Sequence, residues 1–121
     1  MKRIISIILV FCSVVSLHAK SWKVVSGTLS ADTVTLVQDA ANTNLYKFVG
    51  KLSTKSFKLF DGTDNFIPMC GQNDPFEQQI GMEKQVDQSQ LGFKVSYINP
   101  ANLYRITLTD GAAPKIIVEK V

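Results

Sequence analysis

The chain has 121 residues, with 13 basic and 10 acidic side chains and a single histidine. Two of the bases, Lys2 and Arg3, sit at the extreme N-terminus; without them 11 basic residues face 10 acidic ones, close to neutrality. The lysines that remain are scattered (Lys47, Lys51, Lys55, Lys58), a solvated edge rather than the concentrated basic stripe of a nucleic-acid binder, so nucleic acid is not an expected partner.

Residues 1–19 read as an export signal. Lys2 and Arg3 form the positive start, Ile4 to Leu17 run almost without polarity, and Leu17-His18-Ala19 places a small residue at the cut. That apolar run of 14 falls short of the roughly 20 residues of a spanning helix, so cleavage is expected and no stable membrane span remains. Val10-Phe11 before Cys12 is a poor context for a lipidated cysteine, which needs small residues there. The exported part is therefore expected to begin at Lys20 and to work in the periplasm or outside the cell. Residues 20–121 are of single-domain size, enough to bury about 65% of the unfolded surface. Cys70 is the one cysteine in this part, so no internal disulfide is expected, and it reads as a small buried hydrophobe.

Two-residue alternation in short runs dominates this part. Trp22 to Val25 predicts a first strand, Thr33 to Val37 a second and Leu45 to Val49 a third. Ser56 to Phe60 predicts the next, with Phe57 and Leu59 on one face and Lys58 on the other. Asp61-Gly62 is hairpin chemistry, leading to a short strand from Asn65 to Cys70. Pro68 cannot donate to a ladder and so predicts an edge strand or a bulge. Gly71 to Leu91 is polar and glutamine-rich; it reads as a long connection, with one short helical turn near Gln85 to Ser89. Strands are expected again over Gly92 to Ile98, Leu103 to Thr109 and Lys115 to Lys120. Phe93, Val95 and Tyr97 would point inward together, as would Tyr46 with Phe48, Tyr104 with Ile106 and Leu108, and Ile116 with Val118. Seven or eight strands with turns every 8 to 12 residues predict an all-β domain, an antiparallel immunoglobulin-like β-sandwich over 20–121, with a small closed barrel as the alternative.

The groups of ordinary catalysis are scarce. His18 leaves with the signal, so a Ser-His-Asp arrangement and a His/Cys metal site have no material, and neither catalysis nor a cofactor is expected. Asp61, Asp64, Asp74 and Glu77 could offer oxygens to calcium, but their spacing matches no calcium loop, and acids in turns are ordinarily turn formers. Surface recognition is what remains. A sugar presents an apolar C–H face and a rim of hydroxyls, which suits a flat aromatic ring with amides or charges beside it. The candidate rings are Trp22, Phe60, Phe66 and Phe76; the candidate polar partners are Lys58, Asp64, Asn65, Gln72 and Asn73. Burial in the core is the competing role for each ring.

Leu45-Tyr46-Lys47-Phe48-Val49-Gly50-Lys51-Leu52, then Ser56-Phe57-Lys58-Leu59 and Phe66-Ile67-Pro68, resembles a segment of the outer-membrane starch-binding proteins of the SusE/SusF type from Bacteroides-like bacteria. Gly92-Phe93-Lys94-Val95 and Leu103 to Thr109 resemble that family's closing strands, so the resemblance covers about Leu45 to Val121. It implies sandwich domains that bind glycans through paired aromatics with polar partners. The chain departs from the family in having one domain, no lipidation motif and no Gly-Trp segment of the kind that supplies a sugar platform. An oligosaccharide is thus the first expected ligand, and a protein of an envelope assembly the second.

Overall fold

The computed structural model describes residues 21–69 and 77–121. The export signal expected over 1–19 lies outside the described residues, as do Cys70, Gln72, Asn73, Asp74 and Phe76. All regular structure that is described is β. The strands are β1 (Lys23–Val25), β2 (Thr33–Thr35), β3 (Val37–Gln38), β4 (Leu45–Gly50), β5 (Lys58–Phe60), β6 (Asn65–Pro68), β7 (Glu77–Gln78), β8 (Lys84–Gln88), β9 (Lys94–Val95), β10 (Tyr104–Thr109) and β11 (Lys115–Lys120). No helix among the described residues is long and apolar enough to cross a membrane.

Nine strands form one antiparallel sheet in the order β2-β1-β5-β6-β8-β11-β10-β4-β3, and β7 pairs with β9 in parallel. Two stretches of chain nearly close this sheet into a barrel. In the first, β2 pairs with β1 and β3 with β4, and only Leu36 separates β2 from β3. One stretch of six residues therefore belongs to both ends of the sheet. Leu36 is the corner: it is buried, and its N–H donates to the Trp22 carbonyl at 2.9 Å. In the second, Lys84 and Gln85 pair with β11, whereas Val86 to Gln88 pair with β6. Sheets turn corners where a strand changes partners in this way.

Pro68 sits in β6, which lies between β5 and β8, so of the two expected settings, an edge strand or a bulge, the edge strand is ruled out. The ladder explains why proline is tolerated. Met69 donates to Gln85 on the β8 side, so the missing N–H of Pro68 faces β5. The β5–β6 register would next pair Phe57 with Pro68. Instead Phe57 exchanges both backbone bonds with Phe93, at 2.6 and 2.7 Å. A donor that proline lacks has been replaced by a different partner.

The interior is a single cluster. Val24, Leu59 and Phe66 from one half of the sheet meet Tyr46, Ile106, Leu108, Ile116 and Val118 from the other. Phe57 and Phe93 rings lie 4.3 Å apart, centroid to centroid, and an added Cβ on Gly27 would overlap the Phe57 ring. The inward sets expected on β4, β5, β10 and β11 hold, with Phe48 only half-buried.

Three expectations are corrected. The stretch Gln85 to Ser89 is not a helical turn but most of strand β8, with one inward aliphatic, Val86. Its backbone is hydrogen-bonded on both sides, so it needs little apolar alternation of its own. The strand expected over Gly92 to Ile98 shrinks to Lys94–Val95. Tyr97 does not point inward: Val95 and Ser96 are both buried, which breaks the alternation, and Tyr97 then takes φ of +60°. That left-handed backbone turns its side chain out to 96% exposure.

Leu36→Ala is expected to lower unfolding free energy by about 2–5 kcal/mol, the cost of a buried leucine truncation. Val37→Ala, at the neighbouring exposed position, should stay within about 0.5 kcal/mol. Urea denaturation of the two variants measures the contrast; equal losses would remove Leu36 as the corner.

Candidate functional site

The outward faces of β1, β5 and β6 gather several of the polar residues expected to bind a ligand. Register sets Lys23 opposite Phe60 and Phe60 opposite Asn65, so these three side chains form one row across the sheet. Lys58 lies two residues before Phe60 on the same face and opposite Val25. Cross-strand neighbours of this kind have Cβ atoms about 5 Å apart, close enough to touch one ligand. Lys58, Phe60 and Asn65 are all half-buried, with their outer surfaces open to water.

The β5–β6 hairpin shapes one side of this face. The Asp61 carboxylate accepts the N–H of Thr63 at 2.8 Å and of Asp64 at 2.7 Å. Gly62 follows with φ of +101°, where a side chain would be strained. Asp61 therefore acts as a turn former. The turn aims Asp64 at β8, where its carboxylate accepts from the Gln88 side-chain amide at 3.0 Å. Asn65 donates its side-chain amide to the Gln90 side-chain oxygen Oε1 at 3.4 Å. Asn65, bonded to Gln90, thus shares the Phe60 row with Lys23, and Lys58 lies along the same strand, whereas the Asp64–Gln88 pair stands at the hairpin end, with Gln88 registered opposite the inward Phe66. Among the described residues, no group of three or more His, Cys, Asp or Glu is placed to hold a metal ion.

Two of the expected rings are elsewhere. Trp22 is fully buried and Phe66 is 9% exposed; their centroids are 5.2 Å apart at 54°. Neither offers a ring face to water, so neither can be a stacking platform in this conformation. Their place follows from the strand ends: Trp22 sits against the Leu36 corner, and Phe66 points inward opposite Leu59. Phe76 lies outside the described residues. Of the residues expected at a site, Lys58 and Asn65 share the outward face with Phe60, and Asp64 sits in the hairpin that joins their strands.

Sequence reasoning missed Lys23 as the cross-strand neighbour of Phe60, and Gln88 and Gln90 as partners of Asp64 and Asn65. Lys23 could have been found from the alternation Trp22-Lys23-Val24, which already sets it opposite the core register. Gln88 and Gln90 had no such signal, because the strand that carries Gln88 has one buried residue. Comparison with protein-family models, with curated proteins and with solved structures finds no match for this chain.

Trp22 fluorescence is expected to be blue-shifted and poorly quenched by acrylamide, because the indole is fully buried. A red-shifted, freely quenched emission would place Trp22 on the surface and return it to the list of platforms.

Proposed function

We propose that this chain is an exported, non-catalytic recognition module whose ligand is a carbohydrate held on the outward face of β1, β5 and β6. The observation that carries this reading is the half-exposed Phe60 ring in one cross-strand row with Lys23 and Asn65. The ring supplies an apolar surface for sugar C–H groups. Asn65, Gln90, Asp64 and Gln88 supply donors and acceptors for hydroxyls, and lysines can donate at the margin. These groups are already bonded to one another, which holds them in place, and each amide and carboxylate keeps further capacity for a ligand. The sequence resemblance to starch-binding domains of the SusE/SusF type over Leu45 to Val121 supports the same reading, as does the character of residues 1–19 for export to the periplasm or beyond. In this reading the two halves of the sheet, joined at Leu36 and Val86, are the layers of an immunoglobulin-like sandwich.

A second reading, an accessory subunit of an envelope assembly, is favoured by a separate observation. Leu29, Val37, Val49, Leu103 and Val121 are exposed aliphatics, none of them on β1, β5 or β6.

Phe60→Ala should weaken binding of the best oligosaccharide in a glycan panel at least tenfold while leaving the thermal midpoint within a few degrees. Isothermal titration and a thermal melt on the same sample measure both. A panel with no ligand above background, or an unchanged affinity in the variant, removes the carbohydrate reading.

A further inference from the structure

The strands around Phe60 carry charge of one sign. β1, β2, β5 and β6 read KVV, TVT, KLF and NFIP, with two lysines and no acidic residue. Alternation puts both lysines on the outward face, since Val24 next to Lys23 and Leu59 between Lys58 and Phe60 are fully buried. Lys23 stands directly across from Phe60, and Lys58 lies two residues before it, about 7 Å along the same strand. The two lysines are diagonal neighbours, with Cβ atoms roughly 7 Å apart. They therefore occupy adjacent sides of the ring, and Asn65 occupies the side opposite Lys23. Thr35, opposite Lys23 on β2, continues the row at its margin.

The acids of the adjoining elements are engaged elsewhere. The Asp61 carboxylate accepts the Thr63 and Asp64 N–H groups, and that of Asp64 accepts the Gln88 side-chain amide. Asp87 is on β8, with the whole of β6 between it and Lys58. Among the described residues, ion pairs join Arg105 to Glu119 and Lys115 to Glu83, and neither includes Lys23 or Lys58. Two ammonium groups thus face each other across one corner of the ring with nothing of opposite sign set between them. Ammonium groups donate hydrogen bonds and cannot accept them, so an anion in that corner would relieve their repulsion and accept from both.

We propose that the sugar held at Phe60 is acidic, carrying a carboxylate or a sulfate ester at the edge of the ring that stacks on the phenyl group. The anionic group sits in the corner between Lys23 and Lys58, and hydroxyls on the far edge reach Asn65. Uronic acids and sulfated sugars share this chemistry. The proposal rests on the carbohydrate reading of this face and names its ligand class. A nucleic acid is disfavoured, because its backbone is met by a longer track of cations than the two on this face.

The test uses the purified chain and matched oligosaccharides: tetragalacturonate with its methyl-ester twin, and a sulfated galactan tetramer with its unsulfated twin. Isothermal titration at low salt should show about tenfold tighter binding of the acidic member, the scale that two exposed charge contacts supply. The pair that shows the preference separates carboxylate from sulfate as the source. Sodium chloride at about 0.5 M should largely erase it by screening. The K23Q/K58Q variant should bring acidic and neutral members to similar affinity, whereas K23R/K58R should keep the preference, both with thermal midpoints within a few degrees of the parent. Equal or tighter binding of neutral sugars, in these pairs or in the wider glycan panel, overturns the acidic chemistry while leaving the carbohydrate reading intact. If no sugar binds at all, the carbohydrate reading falls and this proposal with it. An acidic preference unchanged in K23Q/K58Q, one lost equally in K23R/K58R, or tighter binding of an oligonucleotide of equal charge would each overturn the proposal.

Discussion

Closure of the sheet at Leu36 is the constraint on which the other features of this molecule rest. A two-ended sheet exposes two rows of unpaired backbone groups, and short strands such as β2 and β3 would be marginal at either end. Running them as one stretch through a buried leucine joins the two ends. The same bend brings Trp22 under the corner, and the Trp22–Phe66 contact then ties the first strand to the middle of the first half-sheet. Burying a leucine contributes about 1.5–3 kcal/mol, a substantial share for a domain of roughly 100 residues whose net stability is of order 5–15 kcal/mol.

The second corner, in β8, does complementary work on the opposite side. Lys84 to Gln88 is weakly apolar, and it persists as a strand because β11 and β6 each take part of its backbone. The Phe57–Phe93 bridge has the same logic at smaller scale. Where proline interrupts one ladder, the neighbouring strand finds a donor in another part of the chain. Backbone hydrogen-bonding demand, more than side-chain preference, selects these pairings.

Closure also divides the outer surface into two faces of different character. The face on β1, β5 and β6 carries Phe60 in a row with Lys23 and Asn65, with Lys58 along the same strand. The face on β3, β4, β10 and β11 carries exposed aliphatics, Lys47, Lys51 and the Arg105–Glu119 ion pair. Because the core claims Trp22 and Phe66, Phe60 is the large aromatic that the described residues leave on the first face. The β9–β10 connection adds Tyr97, held outward by a left-handed backbone that a tyrosine adopts at some cost.

Alternation in the sequence was enough to determine an all-β chain, the inward residues of β4, β5, β10 and β11, the Asp61-Gly62 hairpin and the outward position of Lys58. Side-chain periodicity records which face of a strand is buried, so each of these could be read locally. Three other features belonged to the tertiary structure alone: the joining of β2 to β3 at Leu36, the existence of β8, and the gathering of Lys23, Asn65 and Gln90 around Phe60. Each depends on which distant strand lies alongside. That choice is made through backbone donors and acceptors, which are the same for every residue except proline and leave almost no mark on the sequence.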